Sequence, residues 1–442
     1  MSLPTSPTPP LPGAGRPRAW WRAPASASAL AFHLSRAAAA HAGPLLVVAR
    51  DNHGAHQLEA DLRTLLGGAA DAGGALSVLP FPDWETLPYD RFSPHPDIVS
   101  QRIRALQRLP GLQRGIVVVP VATLMQRLPP PRSLAGASFD LATGQALDLA
   151  AEKRRLEAAG YRNVPQVLDP GDFAVRGGLL DVYPMGSELP LRIELLDAEI
   201  DSIRAFDPES QRSLQRLESV RMLPGRELPL DEAAVARALA RLRERFDIDM
   251  RRSALFQDLK AGAAPAGIEY YLPLFLERGV DDTATLFDHF GADALPVLCE
   301  GALEAADAFW AQAGERHEQR RHDIEHPVLP PAEVWLPPDA LRERLNRGER
   351  IELCGERHPR REQAAPLPSQ PAPELPLAAR DGAPAAALHS FLSSYPGRVL
   401  VAADSPGRRE ALLEVLHAAG LHPPTLDGFP AFAQGEAPFA IA

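Results

Sequence analysis

Strand-like alternation over residues 160–207 constrains the fold of this chain more than any other feature of the sequence. Leu191, Ile193 and Leu195 recur at every second position, which is the period of a strand with one buried face. A glycine pair at positions 177–178 precedes another apolar segment and predicts a bulge or a close backbone approach. Glycine, proline and aspartate separate these segments, so we predict a small antiparallel sheet here.

Three arginines are candidates for the solvent face of this sheet: Arg162, Arg176 and Arg192. The planar guanidinium group suits bidentate pairing with carboxylates, and arginine is enriched at protein-binding hot spots. One interpretation is therefore a protein-docking surface. The other is that these side chains are merely solvated or pair with nearby acids such as Glu194, and the residues alone leave both open.

The segment before this stretch alternates between strand and helix patterns. The apolar runs typical of buried parallel strands are residues 44–49, 75–79 and 115–119. The helical patterns are residues 23–40, 55–66 and 98–109, with a short helix at 121–128. Alternation of this kind predicts a doubly wound α/β domain over residues 16–128.

A doubly wound domain invites a search for a phosphate-binding loop. Such a loop needs a glycine-rich turn, a lysine for the phosphates and a serine or threonine for magnesium. Residues 23–29, before the first predicted helix, contain neither glycine nor lysine. We also find no later helicase-type motif, so we predict that this chain is not an enzyme and holds no cofactor.

The acidic block at residues 83–90 has two interpretations. A pair of carboxylates beside aromatic residues could indicate glycosidase-like chemistry. We favour a structural role, in which Trp84, Leu87 and Tyr89 pack the loop against the sheet, and the acids either cap the loop or pair with Arg91 and Arg102.

Composition excludes several classes of protein. The formal net charge of −11 argues against an autonomous DNA-binding protein, and there is no long apolar run that would span a membrane. The two cysteines lack CxxC spacing, and His317, His322 and His326 lack metal-ligand spacing. With no signal peptide at the N-terminus, we expect a cytoplasmic protein without a metal site.

After residue 223 the patterns again resemble an α/β unit. Helical patterns lie at residues 231–246 and 302–322, and residues 267–276 are apolar and predicted to be buried. Residues 283–287 and 294–298 are predicted to be strands or core segments. A proline-rich linker follows, and then strand, helix and strand patterns at 398–403, 406–419 and 439–442. The last strand has no helix after it, so we expect this final unit to be truncated.

Three blocks of uncommon residues carry a resemblance to a known family. They are FAVRGGLLDVYPMGSELPLRIELLDAEIDSIRAFD at 173–207, FPDWETLPYDRFSPHPDIVSQRIRAL at 81–106 and GIEYYLPLF at 267–275. Together they resemble the transcription-repair coupling factors (Mfd), and the first block is also similar to a module of the excision-repair subunit UvrB. The resemblance covers nearly the whole chain after about residue 15.

The resemblance implies a domain order. In this family a degenerate UvrB-like α/β domain has lost its phosphate loop and contains the docking module as an insertion. The implied segments are a disordered lead at 1–15, the first part of the UvrB-like domain at 16–128, the antiparallel α+β docking domain at 129–223, the second part at 224–364, the linker at 365–375 and a small, truncated α/β domain at 376–442.

The resemblance also implies site residues. Arg176, in Val-Arg-Gly, and Arg192, in Leu-Arg-Ile-Glu, occupy the positions of UvrA-contacting arginines in the family. Leu196 stands where some relatives carry an interface phenylalanine, and Arg162 matches a basic position to within one residue. Ala174 departs from UvrB, which has an additional arginine there, and this predicts a weaker interface.

The implied function is the N-terminal portion of a coupling factor, which docks UvrA at RNA polymerase stalled on DNA lesions. The intact family is an ATP- and magnesium-dependent translocase that contacts the polymerase and double-stranded DNA through domains missing here. One alternative is a standalone UvrB-like interaction protein that competes for UvrA. Another is a nucleotide-dependent UvrB-like repair enzyme.

Overall fold

The computed structural model of this protein describes residues 8–13, 15–67, 76–371, 373–375, 385–403 and 405–442. Residues 1–7 and 14 of the predicted lead, residue 75 of a predicted strand and residues 376–384 of the predicted final unit lie outside the described residues. In chain order the strands are β1 Arg18–Arg22, β2 Leu45–Ala49, β3 Ser77–Pro80, β4 Gly115–Pro120, β5 Phe139–Ala142, β6 Arg162–Asn163, β7 Asp172–Arg176, β8 Leu179–Val182, β9 Leu191–Leu196, β10 Glu199–Phe206, β11 Ser213–Leu217, β12 Ser219–Met222, β13 Leu295–Leu298, β14 Arg350–Cys354, β15 Val399–Val401 and β16 Phe439–Ile441. The helices are α1 Ala27–Ala40, α2 Asn52–Leu66, α3 Pro96–Arg108, α4 Val121–Leu124, α5 Pro131–Ala137, α6 Leu149–Ala158, α7 Glu232–Arg245, α8 Ala254–Lys260, α9 Leu272–Phe275, α10 Ala302–Arg320, α11 Pro331–Val334, α12 Pro338–Asn346, α13 Ala386–Ser394, α14 Pro406–Ala418 and α15 Gly428–Gln434.

The first sheet has six parallel strands in the order β1-β14-β13-β2-β4-β3. Every residue of β2 and β4 is buried, because these strands are apolar on both faces. Leu46 and Val48 of β2 pack into one core, and Leu45 and Val47 pack into a second core on the opposite face. A parallel sheet covered on both faces confirms the predicted α/β class.

Strands of the first sheet come from two distant parts of the chain. β13 pairs with β2, and β14 pairs with β1, although the whole second sheet lies between them in sequence. The inserted residues 139–222 form the second sheet and a two-stranded sheet of β5 and β12. The exact domain boundaries given above stay predictions.

Some local predictions differ from the structure. The segment predicted at 283–287 as a strand or a core segment is a core segment: Ala284 and Leu286 are buried, and Leu286–His289 form a 3-10 helix that begins with a capping box of Thr285 and Asp288. The helix predicted at 121–128 ends at Leu124. β1 and β14 have no counterpart among the predictions.

The second sheet has the order β11-β10-β9-β8-β7-β6. Its strands are antiparallel except for the short β6, which runs parallel to β7. This confirms the predicted antiparallel sheet. Phe173, Leu180 and Ile193 share its core with Leu156 of α6 and with Ile103 of α3. Since α3 also belongs to the first unit, one helix packs against both parts of the protein.

A buried ion pair joins Glu227, in the segment after β12, to Arg102 of α3. Nε and Nη2 of Arg102 donate to the two carboxylate oxygens of Glu227 at 2.5 and 3.1 Å, and Nη1 donates to the Pro82 carbonyl at 2.7 Å. The Arg102 side chain has no exposed surface and lies over the Phe81 ring. Arg102 therefore does not pair with the acids of residues 83–90 as predicted, because Glu227, distant in sequence, occupies its guanidinium.

The proline-rich segment was predicted to be a linker, but its first residues are packed. Ala365 hydrogen-bonds across to Trp20, and Leu367 is buried in the core of the first sheet. The Ser369 hydroxyl accepts from the Ala25 amide at 3.2 Å. Apolar residues between the prolines explain this contact, since they fill a gap beside β1.

The last described residues form a small unit. β15 pairs in parallel with β16, and α13 and α14 contribute to a core around Leu388 and Leu416. Among the helices that the structure describes, none combines the length and apolar character needed to cross a lipid bilayer.

Candidate docking face of the second sheet

One face of the second sheet packs into the core, and we call the opposite face the outer face. Side chains of directly opposite residues in antiparallel strands project from the same face, so the cross-strand register identifies its members. They are Ala174 and Arg176 on β7, Leu179 and Asp181 on β8, Arg192 and Glu194 on β9, Ser202 and Arg204 on β10, and Arg216 on β11.

Arg192 lies on the outer face but is not a free solvated side chain. Its Nε and Nη2 donate to both carboxylate oxygens of Asp181 at 2.8 and 2.9 Å, and its guanidinium lies 4.8 Å from the centre of the Phe206 ring. The hydrogen bonds that Arg192 donates to Asp181 raise the pKa of Arg192, and only 20% of its side chain is exposed. Among the contacts of the described residues, Nη1 remains available to a partner.

Arg176 is exposed at the end of β7 and donates to the Pro165 carbonyl. It directly precedes the tight turn that joins β7 to β8, where Gly177 has a φ of 60°. The glycine pair therefore forms a hairpin turn rather than a bulge. The predicted close approach is present at Gly178, whose carbonyl accepts from the Leu195 amide at 2.9 Å.

Leu196 presents a large apolar side chain to solvent at the end of β9. It is 68% exposed and pairs with Glu199 across the next hairpin. Asp197 in that hairpin has a φ of 56°, which aspartate tolerates better than most residues. Isolated exposed leucines are common, but this one shares a face with Arg192.

Arg162 lies apart from the other predicted site residues. It pairs in register with Asp172, the first residue of β7, whereas Arg176 is the last. Four strand residues separate these ends by ~13 Å. Its guanidinium makes ion pairs with Asp172 at 2.9 Å and with Asp169 at 3.6 Å. The structure therefore brings Arg176, Arg192 and Leu196 to one face. Arg162 is on the same face by its register with Asp172, but it lies on the edge strand β6.

Arg204 and Arg216 were missed as candidates. Arg204 lies directly opposite both Arg192 and Arg216, on the two neighbouring strands. Both residues are exposed. The alternation of buried and exposed residues along β10 contained a signal for Arg204, but the bulge between Ile200 and Ser202 shifts that pattern by one residue.

The acidic block at residues 83–90 has a structural role in the first unit. Asp83 accepts from the Glu85 amide at 2.8 Å and from the Thr123 hydroxyl at 2.8 Å. Asp90 accepts from the Leu87 amide and from Arg316. These contacts hold the loop in place and leave no pair of free carboxylates for glycoside chemistry.

The segment before α1, residues 23–29, makes several hydrogen bonds within the chain. Ser26 caps α1 by accepting from the Ala29 amide at 3.2 Å. The Ala23 amide donates to the Cys354 carbonyl, and the Ala25 amide donates to Ser369. Three backbone donors at this helix N-terminus are thus used within the chain.

Candidate metal ligands and reactive thiols do not converge in the described part of the chain. There, no group of three or more histidine, cysteine or acidic residues is arranged to hold a metal ion. Burial raises the pKa of Cys299 to about 12, and burial together with nearby acids raises that of Cys354 to about 11. Both thiols are therefore protonated at neutral pH and poor nucleophiles.

Comparison with known proteins places the second sheet within a described domain. Residues 139–228 match the UvrB interaction domain, and residues 391–442 match the D3 domain of MFD. The chain is 40% identical over 389 residues to the transcription-repair-coupling factor of Escherichia coli, which is 88% of this chain and 33% of that protein. It is 40% identical over 345 residues to the Haemophilus influenzae factor, covering 78% and 30%, and 34% identical over 324 residues to the Myxococcus xanthus factor, covering 71% and 26%. The chain thus spans about a third of the length of these relatives.

Proposed function

Because this chain is, over most of its length, a homologue of the transcription-repair coupling factors, we propose that it recruits nucleotide-excision repair by docking UvrA on the outer face of its second sheet. The observation that carries the proposal is that the matched UvrB interaction domain, residues 139–228, encloses the entire second sheet. On its outer face, Arg176 and Arg192 lie together with the exposed Leu196. Such a face suits a partner with surface carboxylates and a small apolar patch.

Each site residue has a distinct proposed role. Arg176 is exposed at a hairpin and makes the direct charged contact. Arg192 is held by Asp181 and offers Nη1 from a fixed position, so little side-chain entropy is lost when a partner binds. Leu196 contributes apolar area at the rim. Arg162 is engaged by two aspartates, so we assign it a supporting role at the sheet edge.

The activity of the whole relatives extends beyond this chain. We propose that parts of the relatives outside the shared third contact stalled RNA polymerase and double-stranded DNA. We further propose that those parts use ATP and magnesium to release the polymerase. In this chain, residues 23–29 contain neither glycine nor lysine, which supports a role without a bound nucleotide or its magnesium. The protein's place of action would then be the cytoplasm, where transcription and repair meet.

The test is calorimetric titration of UvrA with this chain and with the variant Arg176→Ala/Arg192→Ala. Hydrogen bonds to charged groups contribute about 1.5–3 kcal/mol each, and ~1.4 kcal/mol corresponds to a tenfold change in Kd. We expect the variant to bind at least tenfold more weakly. Arg154→Ala is the matched control, because Arg154 is exposed on α6, away from the outer face.

Either of two results would contradict the proposal. The unmodified chain would show no saturable binding of UvrA, or the double variant would bind as tightly as the Arg154 control. The second result would indicate that UvrA binds another surface of the chain. Near- and far-ultraviolet circular dichroism of each variant distinguishes lost contact from lost folding.

A further inference from the structure

The second sheet carries an unusual arrangement of charge, which we call the arginine row: Arg192, Arg204 and Arg216. Arg204 is the register partner of Arg192 on β9 and of Arg216 on β11. Neighbouring strands lie ~4.8 Å apart, so the Cα atoms of these three arginines span ~10 Å across one face. The row runs across the strands rather than along one of them.

Within the described residues, few carboxylates form ion pairs with these three arginines. Asp181 pairs with Arg192 at its inner end. Arg216 makes a hydrogen bond to the Asp201 carbonyl at 3.2 Å, which leaves its charge unpaired. Within the described residues, the side chain of Arg204 has neither an ion pair nor a hydrogen bond, and it is exposed. Like charges directly opposite one another weaken a sheet, so the row has a cost for folding alone.

We infer that Arg204 and Arg216 extend the docking face, and that the row binds a cluster of carboxylates on the partner protein. The inference rests on the proposed function and adds to it the chemistry and the direction of the partner's matching surface. Acidic side chains spaced ~5 Å apart, such as neighbours on one helix face, fit guanidinium groups at strand spacing. Arg192 is held at one end of the row, and Arg204 and Arg216 take the free carboxylates.

The surroundings of the row favour a protein over a nucleic acid as the ligand. Asp181 and Glu194 lie among the arginines on the same face and would repel a phosphate backbone. Leu196 and Leu214 are 68% and 58% exposed on β9 and β11. Apolar side chains beside arginines are typical of protein interfaces, whereas nucleic-acid surfaces are more uniformly basic.

Charge reversal tests the inference. The full chain and the variant Arg204→Glu/Arg216→Glu are titrated with UvrA at several salt concentrations. The control is Arg154→Glu/Arg252→Glu, which makes the same change in net charge at two exposed arginines off the outer face. We expect at least tenfold weaker binding for the first variant and a shallower dependence of log Kd on log salt concentration, with the control unchanged.

Conservative and chemical variants separate contact from folding. Arg204→Lys keeps the charge but not the planar fork, so it should bind more tightly than Arg204→Glu and more weakly than the unmodified chain. Thermal unfolding of these variants should not shift to lower temperature, because both arginines are exposed and the Glu substitutions remove like-charge contacts within the row.

Each outcome of these titrations supports or contradicts the inference about the arginine row. If the Glu variant binds UvrA like the control while Arg176→Ala/Arg192→Ala binds more weakly, the row inference is wrong and the proposed function stands. If the unmodified chain does not bind UvrA, both fall. If the Glu variant loses binding to a DNA duplex but keeps that to UvrA, the row is a nucleic-acid site and the inference is overturned.

Discussion

Single side chains in this protein show how burial and partners set their chemistry. Asp181 is 5% exposed and fixes Arg192 through both carboxylate oxygens, so it acts as a positioning residue for the proposed contact. His289 is 1% exposed, and its Nε2 lies 3.0 Å from the Pro129 carbonyl, which identifies Nε2 as the donor. Neutral imidazole satisfies that hydrogen bond without a buried charge.

The state of His289 predicts a pH dependence of stability. Burial lowers its pKa from the ordinary 6.5, so the folded protein prefers neutral histidine while the unfolded chain is protonated near 6.5. This contribution to stability is present above pH 6.5 and is lost as the pH falls below it. We expect urea unfolding to show a smaller drop in the free energy of unfolding between neutral and acidic pH for His289→Gln.

The exposed His53 supplies the control for that measurement. His53→Gln should leave the pH profile as it is in the unmodified chain. A His289→Gln profile that matches the unmodified one would mean that other groups cause the acid sensitivity.

At the scale of elements, the hairpin between β7 and β8 decides where Arg176 stands. Gly177 has a φ of 60°, and a Cβ added there would meet no atom within 4 Å. A side chain at this position would therefore lower stability by straining the backbone at positive φ, and not by clashing with neighbouring atoms. Arg176 is adjacent, so a distorted turn would also displace its guanidinium.

This hairpin predicts a graded response to substitution. Gly177→Val should destabilise the protein by about 1–2 kcal/mol, because β-branched residues strongly disfavour positive φ. Gly177→Asn should cost less, since asparagine accepts the left-handed conformation. Chemical denaturation measures the stability, and UvrA titration reports whether Arg176 has moved. Equal stability of the two variants would show that the positive φ at Gly177 does not limit which residues this turn accepts.

The sequence predicted elements whose signal is local and missed those whose partners are distant. β2 and β4 are apolar on both faces and were found, whereas β1 and β14 contain arginines and pair with each other over more than 300 residues. The alternation of apolar and polar residues along β9 correctly predicted that Arg192 lies on the outer face. Its partner Asp181 was not predicted, because the pairing of β8 with β9 follows from the turn and not from composition.

At the scale of the whole molecule, the second sheet is fixed to the first unit through a dry charged contact. Arg102 and Glu227 are 0% and 8% exposed and lie beside the aromatic rings of Phe81 and Trp84. A buried charge without its partner is costly, whereas a well-packed apolar pair is tolerated. The contact thus fixes the direction of the docking face relative to the parallel sheet.

That contact predicts strong non-additivity. Arg102→Leu alone should lower the free energy of unfolding by about 3–5 kcal/mol, because Glu227 is left buried and unpaired. The double variant Arg102→Leu/Glu227→Leu should be clearly more stable than the sum of the single changes. Calorimetric unfolding measures both. Arg347→Leu, at an exposed pair with Glu343, is the comparison and should change stability little.

The split origin of the first sheet has a consequence for how the protein emerges from the ribosome. Trp21 on β1 is completely buried in the finished structure, and its neighbouring strand β14 is not made until residues 350–354 have been synthesised. For more than 300 residues of translation this edge and its tryptophan have no partner strand, whereas all strands of the second sheet have been synthesised by residue 217, well before β14 at residues 350–354. During that interval β1 is an unpaired strand that could pair with other chains and aggregate. A chaperone bound to β1 would prevent this until β14 has been synthesised.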